Sequence, residues 1–216
     1  MKRKGTVRVL ISLGLLGVFA IWTTLVCLVD VQAIGPQGTR VGFATMNQFI
    51  HALTGVNFTL YTITDWLGLV PIGVALLFAV LGLIQWCKRK QLLLVDRSIL
   101  VLGVFYLAVM AVFAFFEIVV INYRPVLIEG VAEASYPSST TMLTMCVMPT
   151  AILQLNSRIK RLWLRRIASV TIWTFTCFMV IGRLLSGVHW MSDIIGGAIV
   201  SAALVTMYAG ATESCS

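Results

Sequence analysis

The chain has 216 residues, of which 59% are hydrophobic and only 11% are charged. Soluble domains average about 45–50% apolar and about 25% charged residues, so this composition indicates an integral membrane protein and excludes an ordinary soluble enzyme. The formal net charge of +8 does not predict a nucleic-acid partner, because the basic residues are confined to a few short segments.

The N-terminus carries basic residues ahead of an apolar run, as a signal peptide does. The run from Val9 to Val29 is too long for the apolar region of a signal peptide, and no cleavage site of small residues follows it. We therefore predict that this segment is retained as the first membrane span.

Six apolar stretches are each long enough to cross a bilayer as a helix. They are continuous and do not alternate with polar residues, which predicts helices and not a barrel. The expected fold class is all-α: a polytopic membrane protein with six transmembrane helices. The predicted spans lie at about 9–29, 67–86, 98–121, 139–155, 167–185 and 192–209. They account for nearly every residue, so we predict one membrane-embedded domain over residues 1–216.

The connection between the first two spans, at about 30–66, is long. From Val41 to Leu53, apolar residues recur three or four positions apart among polar residues. This spacing predicts an outer amphipathic helix that lies on the membrane surface. Simple packing at the interface is its expected role, and covering the site or controlling lipid access is the alternative.

The distribution of lysine and arginine predicts the orientation of the spans. Six spans place the N-terminal tail and the connections after spans two and four on one side, and these segments carry all but three of the 16 basic residues. That side is expected to be cytoplasmic, together with both termini, in a multi-pass protein of the plasma membrane. The other three basic residues, Arg40, Arg124 and Arg183, fall on the outer side.

Neither the cysteines nor the histidines predict a metal site, and we expect no cofactor. The chain has two histidines, His51 and His189, which are too few for a multi-histidine site. The cysteines form no spaced pair and mostly lie in apolar runs, so we interpret them as small hydrophobic residues buried in the membrane. They are Cys27, Cys87, Cys146, Cys177 and Cys215.

An arginine, a histidine and an aspartate stand together between the last two apolar runs. Charged residues at a membrane are energetically costly, so they indicate a function. His189 and Asp193 are four residues apart, which on a helix places them on one face and allows a hydrogen bond. This pair suits a histidine nucleophile or base oriented by a carboxylate. Arg183 adds forked donors that suit a phosphate or a carboxylate.

Two more polar clusters fall on the same side. Asn122-Tyr123-Arg124-Pro125 ends the third span, and Tyr136-Pro137-Ser138-Ser139-Thr140-Thr141 begins the fourth. With the third cluster, their order and spacing resemble the type 2 phosphatidic acid phosphatase superfamily. That family carries K-x6-R-P, P-S-G-H and S-R-x5-H-x3-D on a six-helix membrane core. The matching positions are Arg124, Pro125, Pro137, Ser138, Arg183, His189 and Asp193, whereas the leading serine of the third motif is Gly182.

The resemblance implies a membrane lipid phosphatase that acts at the outer leaflet, with a lipid phosphate and the bilayer as its partners. His189 would attack phosphorus and form a phosphohistidine. Asp193 would hold the imidazole in the attacking tautomer, while Arg124 and Arg183 would bind the phosphoryl oxygens. Further hydrogen bonds would come from backbone and hydroxyl donors around Ser138, Ser139 and Thr140.

Two positions depart from the family pattern. The family lysine, seven residues before Arg124, is Glu117. This carboxyl is expected to pair with Arg124 or Arg183, with turning away or staying protonated as a general acid as alternatives. The family's second histidine, which protonates the leaving oxygen, is Thr140. His51 is a candidate replacement for that acid, although a lone histidine on a surface helix more often only packs at the interface.

The loss of the acid predicts the substrate class. General-acid assistance is typically worth about 10²–10⁴-fold. It matters for an alkoxide, whose conjugate acid has a pKa of roughly 16, and little for a leaving phosphate, whose second pKa is about 6. We therefore expect a lipid diphosphate, such as a polyprenyl diphosphate, to be preferred over a lipid monoester.

Alternative functions remain. A catalytically degenerate member would bind lipid phosphate without hydrolysis, although an intact His189–Asp193 pair argues against binding alone. The third cluster by itself also fits a structural ion pair between Arg183 and Asp193. A transporter is disfavoured because the charges, apart from Glu117, cluster at one membrane face. The related soluble haloperoxidases share these motifs, but six membrane spans disfavour that activity.

Overall fold

Long apolar runs become long helices, as the sequence predicts. The structure, a computed structural model, describes residues 2–214, which form α-helices without a β-strand. The all-α fold class is confirmed. The helices are α1 (Lys2–Leu28), α2 (Ala44–Thr54), α3 (Phe58–Leu67), α4 (Leu69–Arg89), α5 (Arg97–Ile118), α6 (Ser139–Arg158), α7 (Leu162–Leu185) and α8 (Met191–Ser214).

Five segments within residues 2–214 are long and apolar enough to span a membrane. They correspond to α1, the pair α3–α4, α5, α7 and α8, which confirms a multi-pass membrane architecture. The fourth predicted span, at about 139–155, corresponds to α6, which is too polar to qualify by composition. Half of its residues are buried by neighbouring helices, including Thr144, Thr150 and Gln154. It is therefore a central helix, and its polar side chains are sheltered from lipid by protein.

The predicted second span begins too late in the sequence. Helical structure starts at Phe58, and the Asn57 side chain caps α3 by accepting a hydrogen bond from the Leu60 N–H at 2.9 Å. Threonines interrupt the apolar pattern between 58 and 66, and their branched side chains have weak helix propensity. This is why a search for continuous apolar runs missed α3.

The predicted amphipathic helix is confirmed as α2. Its Asn47 is buried and joins the start of α8: its amide nitrogen donates to Ser192 Oγ at 2.9 Å, and its oxygen accepts the Ser192 N–H at 3.1 Å. Phe49 and Leu53, on the opposite face, are exposed. One face of α2 thus packs on the bundle, and the other faces outward.

Glycines allow α8 to approach its neighbours closely. A Cβ atom on Gly196 would lie 2.6 Å from the Tyr136 ring, and one on Gly197 would lie 3.2 Å from the Ser138 carbonyl oxygen. The hydroxyl of Tyr136 also forms a hydrogen bond with Thr23 of α1 at 2.7 Å. The segment that leads into α6 is therefore fixed between α1 and α8.

The basic segments gather at one end of the bundle, which we call the basic end. Arg8 pairs with Glu213 at 2.9 Å, and Asp96 pairs with Arg158 at 3.5 Å and with Arg89 at 3.9 Å. These contacts bring together both ends of the described chain and the connections after α4 and α6. The predicted clustering of basic residues on one side agrees with this arrangement, and the cytoplasmic assignment of that side stays a prediction.

The cysteines within the described residues form no disulfide. Cys146 is buried in the helical core, as predicted, whereas Cys27, Cys87 and Cys177 lie on the outer faces of their helices, where a bilayer would surround them. Cys215 lies outside the described residues.

Candidate active site

Two arginines and a histidine converge at the opposite end of the bundle, which we call the site end. Nη1 of Arg124 lies 3.5 Å from Nε2 of His189, and Nη2 of Arg183 lies 3.4 Å from the same nitrogen. A guanidinium group only donates hydrogen bonds, so these contacts assign Nε2 as the unprotonated nitrogen. The imidazole lone pair thus faces the two cations.

His189 is placed by a tight turn between α7 and α8. Gly187 has a φ of +67°, which favours glycine. A Cβ atom at this position would also lie 1.8 Å from the Gly55 carbonyl oxygen. Glycine is therefore required twice over, by the backbone conformation and by the close approach of the segment that joins α2 to α3.

Arg124 lies in the connection between α5 and α6, which folds back on itself. The Arg124 N–H donates to the Glu133 carbonyl oxygen at 3.0 Å, and the Ser135 N–H donates to the Asn122 carbonyl oxygen at 2.9 Å. The guanidinium of Arg124 is also paired with the Glu133 carboxylate at 2.9 Å. These contacts hold the arginine over the start of α6.

The helical relation predicted between His189 and Asp193 is wrong. α8 begins at Met191, so His189 precedes the helix and shares no helical face with Asp193. Nδ1 of His189 and Oδ2 of Asp193 are 3.9 Å apart, which is longer than a hydrogen bond. Oδ2 instead accepts the Trp190 N–H at 3.0 Å, as the third residue of a helix often does for its N-cap. The orienting role of Asp193 stays a prediction.

A buried polar network holds the Asp193 carboxylate. Asn122 donates to its Oδ1 at 2.9 Å, and Ser192, held by Asn47, lies 3.5 Å from the same oxygen. Neither asparagine had a role predicted from the sequence. Asn122 stands in the same short cluster as Arg124, directly after an apolar span, and this position was the available signal. One segment therefore supplies both a cation for the site and the donor that fixes its carboxylate.

The guanidinium of Arg183 lies in a pocket built by α3, with the residue only 1% exposed. Its Nη1 lies 3.4 Å from Thr64 Oγ1 and 3.5 Å from Asp65 Oδ1. The Tyr61 ring lies 5.0 Å from the guanidinium carbon of Arg183 and 5.9 Å from that of Arg124, which gives both cations a favourable aromatic contact. These three residues were not predicted as part of the site, because α3 itself was not predicted from the sequence.

Glu117 does not pair with either arginine, so the favoured expectation for it is wrong. Its side chain is exposed, and among the described residues it forms no ion pair. Arg124 pairs with Glu133 and Arg183 with Asp65. Glu117 lines a small crevice together with Ser135 and Ser139, and the alternatives given for it stay predictions.

The start of α6 offers further hydrogen-bond donors. The Ser138 N–H donates to the Asp193 carbonyl oxygen at 3.1 Å, which joins the first residues of α6 and α8. The buried hydroxyls of Ser138 and Thr141 have no hydrogen-bond partner in the described part of the chain. A helix N-terminus with free hydroxyls favours an anion.

Ser139 and Thr140 face a cavity of about 480 Å³ next to this cluster. Asp65 stands at its edge, and the rest of the wall is apolar. These wall residues come from α4, α5 and α6 and include Leu69, Ile72, Val109, Met110, Phe113 and Leu143. The position of the family's second histidine therefore opens onto an apolar space with one carboxylate beside it.

Burial, followed by the positive charges of Arg124 and Arg183, holds the pKa of His189 well below its ordinary value. The imidazole is therefore neutral at neutral pH. A neutral imidazole is the form that acts as a nucleophile.

His51 supports the turn that carries His189. Its Nε2 lies 3.1 Å from the Gly187 carbonyl oxygen, and its ring packs 5.5 Å from the Trp190 ring, centroid to centroid. We expect His51→Phe to keep phosphatase turnover near that of the wild type but to lower the free energy of unfolding by about 1 kcal/mol, the usual net value of one hydrogen bond. Phosphate release and denaturation in detergent measure the two effects. A well-folded variant with a loss of about 100-fold would instead identify His51 as the replacement acid.

Comparisons with known proteins found one family and one solved structure that are similar to this chain. The family model described as PAP2 superfamily matches residues 108–213, a range that includes both arginines, His189 and Asp193. The fold is similar to a crystal structure described as the first transmembrane PAP2 type phosphatidylglycerolphosphate phosphatase from Bacillus subtilis. The TM-score is 0.57 at 20% sequence identity, over 95% of this chain and 97% of the other. No curated protein matches the sequence. Residues 108–213 thus match the PAP2 superfamily by sequence, and the chain shares the fold of a transmembrane PAP2 type phosphatase.

Proposed function

We propose that this protein is a membrane lipid phosphatase that forms a phosphohistidine at His189. The observation that carries the proposal is the unprotonated Nε2 held 3.4–3.5 Å from two guanidinium groups. Lipid phosphate binding alone requires the cations but not a neutral imidazole whose lone pair faces them. The match of residues 108–213 to the PAP2 superfamily and the helices long and apolar enough to span a membrane support a phosphatase that acts on lipids.

The proposed reaction depends mainly on positioning and charge, as phosphoryl transfer generally does. Arg124 and Arg183 bind the equatorial oxygens, with the Ser138 hydroxyl and the start of α6 as further donors. Nε2 forms a bond to phosphorus while the bond to the leaving oxygen breaks. The imidazole gains positive charge in this step, and the nearby Asp193 carboxylate stabilises it.

We infer that the site end faces the outer leaflet and that both termini are cytoplasmic, in the plasma membrane. The basic end carries the clustered lysines and arginines, which favour the cytoplasmic side. The catalytic residues lie at the opposite end of the same helices.

A lipid diphosphate is the proposed substrate, with a polyprenyl diphosphate favoured. Thr140 cannot protonate a leaving alkoxide, and His51 is directed at the backbone of the adjacent turn. The Bacillus relative is described as acting on phosphatidylglycerolphosphate, a monoester, so that lipid is the sharpest competitor. Purified wild-type protein should release phosphate faster from the diphosphate than from phosphatidylglycerolphosphate or phosphatidic acid. Faster turnover of either monoester would refute the preference.

Placing the family's histidine at position 140 also tests whether the missing acid sets the substrate preference. We expect Thr140→His to raise monoester turnover by up to about 10²-fold and to change diphosphate turnover little. The cavity beside Thr140 has room for an imidazole. Thr140→Asn is the matched control, because it alters size without adding an acid. If turnover of both substrates changed equally, the lack of an acid at position 140 would not be what slows monoester hydrolysis.

Binding without hydrolysis is the second candidate, and the absent family acid is the observation that favours it. Glu117 lends this candidate less support, since it forms no ion pair with either arginine. Lipid phosphate that binds to the wild-type protein but is never hydrolysed would select this candidate.

A further inference from the structure

We propose that Asp65 is a further catalytic residue, which accepts the proton of the water that hydrolyses the phosphohistidine at His189. The inference rests on the proposed function and deepens it. Asp65 of α3 would take up the proton, which Thr140 cannot do.

The guanidinium group of Arg183 contacts both Asp65 and the nucleophile His189. Its Oδ1 lies 3.5 Å from Nη1 of Arg183, and Nη2 of the same arginine lies 3.4 Å from Nε2 of His189. A phosphoryl group on Nε2 that is bound by Arg183 would therefore have the carboxylate beside it. Arg183 thus links the two groups through its two terminal nitrogens.

Asp65 also borders the space onto which Thr140 opens. The two residues line the same cavity, together with Ser139. Asp65 of α3 thus supplies a proton acceptor close to Thr140, which occupies the position of the family's second histidine. The Asp65 side chain is 57% exposed, so water reaches it.

The other carboxylates near the site, those of Glu133, Glu117 and Asp193, have different surroundings. The Glu133 carboxylate pairs with Nε of Arg124, and Glu117 lines a separate crevice and pairs with neither arginine. Asp193 is fully buried and accepts hydrogen bonds from Asn122 and Trp190. Glu133 is 43% exposed and its partner Arg124 also contacts the nucleophile, but Asp65 is the one of these two carboxylates that lines the cavity beside Thr140.

The proposed step balances without any co-reactant besides water. The water oxygen forms a bond to phosphorus as the bond between phosphorus and Nε2 breaks, and the electron pair returns to the imidazole. The water proton passes to the Asp65 carboxylate and then to solvent. A carboxylate paired with Arg183 serves as a base and not as an acid. This division fits a leaving phosphate that departs without a proton.

The experiment follows the phosphoenzyme in full-length protein with a lipid diphosphate labelled in its terminal phosphate. Asp65→Asn should lower steady-state turnover by about 10²-fold or more. Labelled, acid-labile phosphoprotein should accumulate in the variant, and its rate of formation should stay near that of the wild type. Glu129→Gln is the matched control, since it removes an exposed carboxylate from the same connection as Arg124 without touching the site.

A merely structural role for Asp65 gives a different pattern. If the carboxylate only positions Arg183, Asp65→Asn should slow phosphoenzyme formation and raise KM without accumulation, and that result would overturn the proposal. Turnover equal to that of the wild type would overturn it as well. Asp65→Glu should restore part of the turnover in the same assay, which excludes misfolding as the cause. Failure of the proposed function is distinguishable, because wild-type protein would then form no phosphohistidine at all.

Discussion

Replacing His189 by alanine should abolish phosphate release, with a loss of about 10⁴–10⁶-fold, as is typical when the nucleophile of a covalent mechanism is removed. Neither arginine can replace it, because a guanidinium has no lone pair to offer at neutral pH. His51 cannot replace it either, since its ring contacts the Gly187 backbone and Trp190. The substitution leaves both cations in place, so lipid phosphate should still bind.

Phosphate release over a panel of lipid phosphates and diphosphates measures this effect, with retention on substrate-containing vesicles as the parallel binding assay. Glu129→Gln is the control, because it changes an exposed residue outside the site and should keep wild-type turnover. Turnover that persists in His189→Ala would reject the nucleophile and leave the site as a phosphate-binding structure.

The same residue predicts a pH dependence of stability. The pKa of His189 in the folded protein lies well below the ordinary value of about 6.5, so the unfolded chain takes up a proton first as pH falls. The stability associated with the neutral ring is present above about pH 6.5 and is lost as pH falls through the range between the two pKa values. His189→Phe should therefore flatten the fall in midpoint temperature below pH 6.5. An unchanged slope would place the sensitivity in another group.

Arg183→Ala should lower turnover by about 10³–10⁵-fold, the range attributed to an arginine that stabilises a transferring phosphoryl group. Arg183 contacts the nucleophile, and it is almost fully buried between α3 and α7. Its removal eliminates one of two cations and leaves the Asp65 carboxylate as an unpaired negative charge beside the substrate phosphate. Both changes oppose phosphate binding.

Arg183→Lys separates charge from geometry. A lysine keeps the positive charge but loses the planar fork that reaches Asp65 and His189 at once. We expect turnover between those of the wild type and Arg183→Ala, with a raised KM. Wild-type kinetics in Arg183→Lys would mean that a point charge is sufficient and that the bridging geometry described above has no catalytic value.

Continuous apolar runs predicted most of the fold because a bilayer imposes simple rules on length and composition. The amphipathic pattern around Asn47 likewise predicted α2. α3 escaped these rules, since threonines break the apolar run between 58 and 66. The sequence therefore did not predict that Tyr61 and Asp65 belong to the site, although both contact Arg183.

Motif spacing identified Arg124, Arg183 and His189 but not their surroundings. The contact between Arg183 and Asp65 joins residues 118 positions apart, and no local pattern encodes such a distance. The helical spacing assumed for His189 and Asp193 failed because α8 begins only after His189. The charge at Glu117 suggested pairing with an arginine, yet Glu133 and Asp65 already provide carboxylates to both arginines.

The polarity of α6 has a consequence for biosynthesis. As the chain emerges from the ribosome, α6 reaches the membrane before α7 and α8 exist, and its own composition is too polar to hold it stably among lipids. Gln154 finds the Tyr208 hydroxyl, and the Met142 carbonyl oxygen receives the Ser201 hydroxyl, only once α8 arrives. The start of α6 and the start of α8 together frame the reaction centre. A nascent chain therefore completes the reaction centre only after α8 has been inserted.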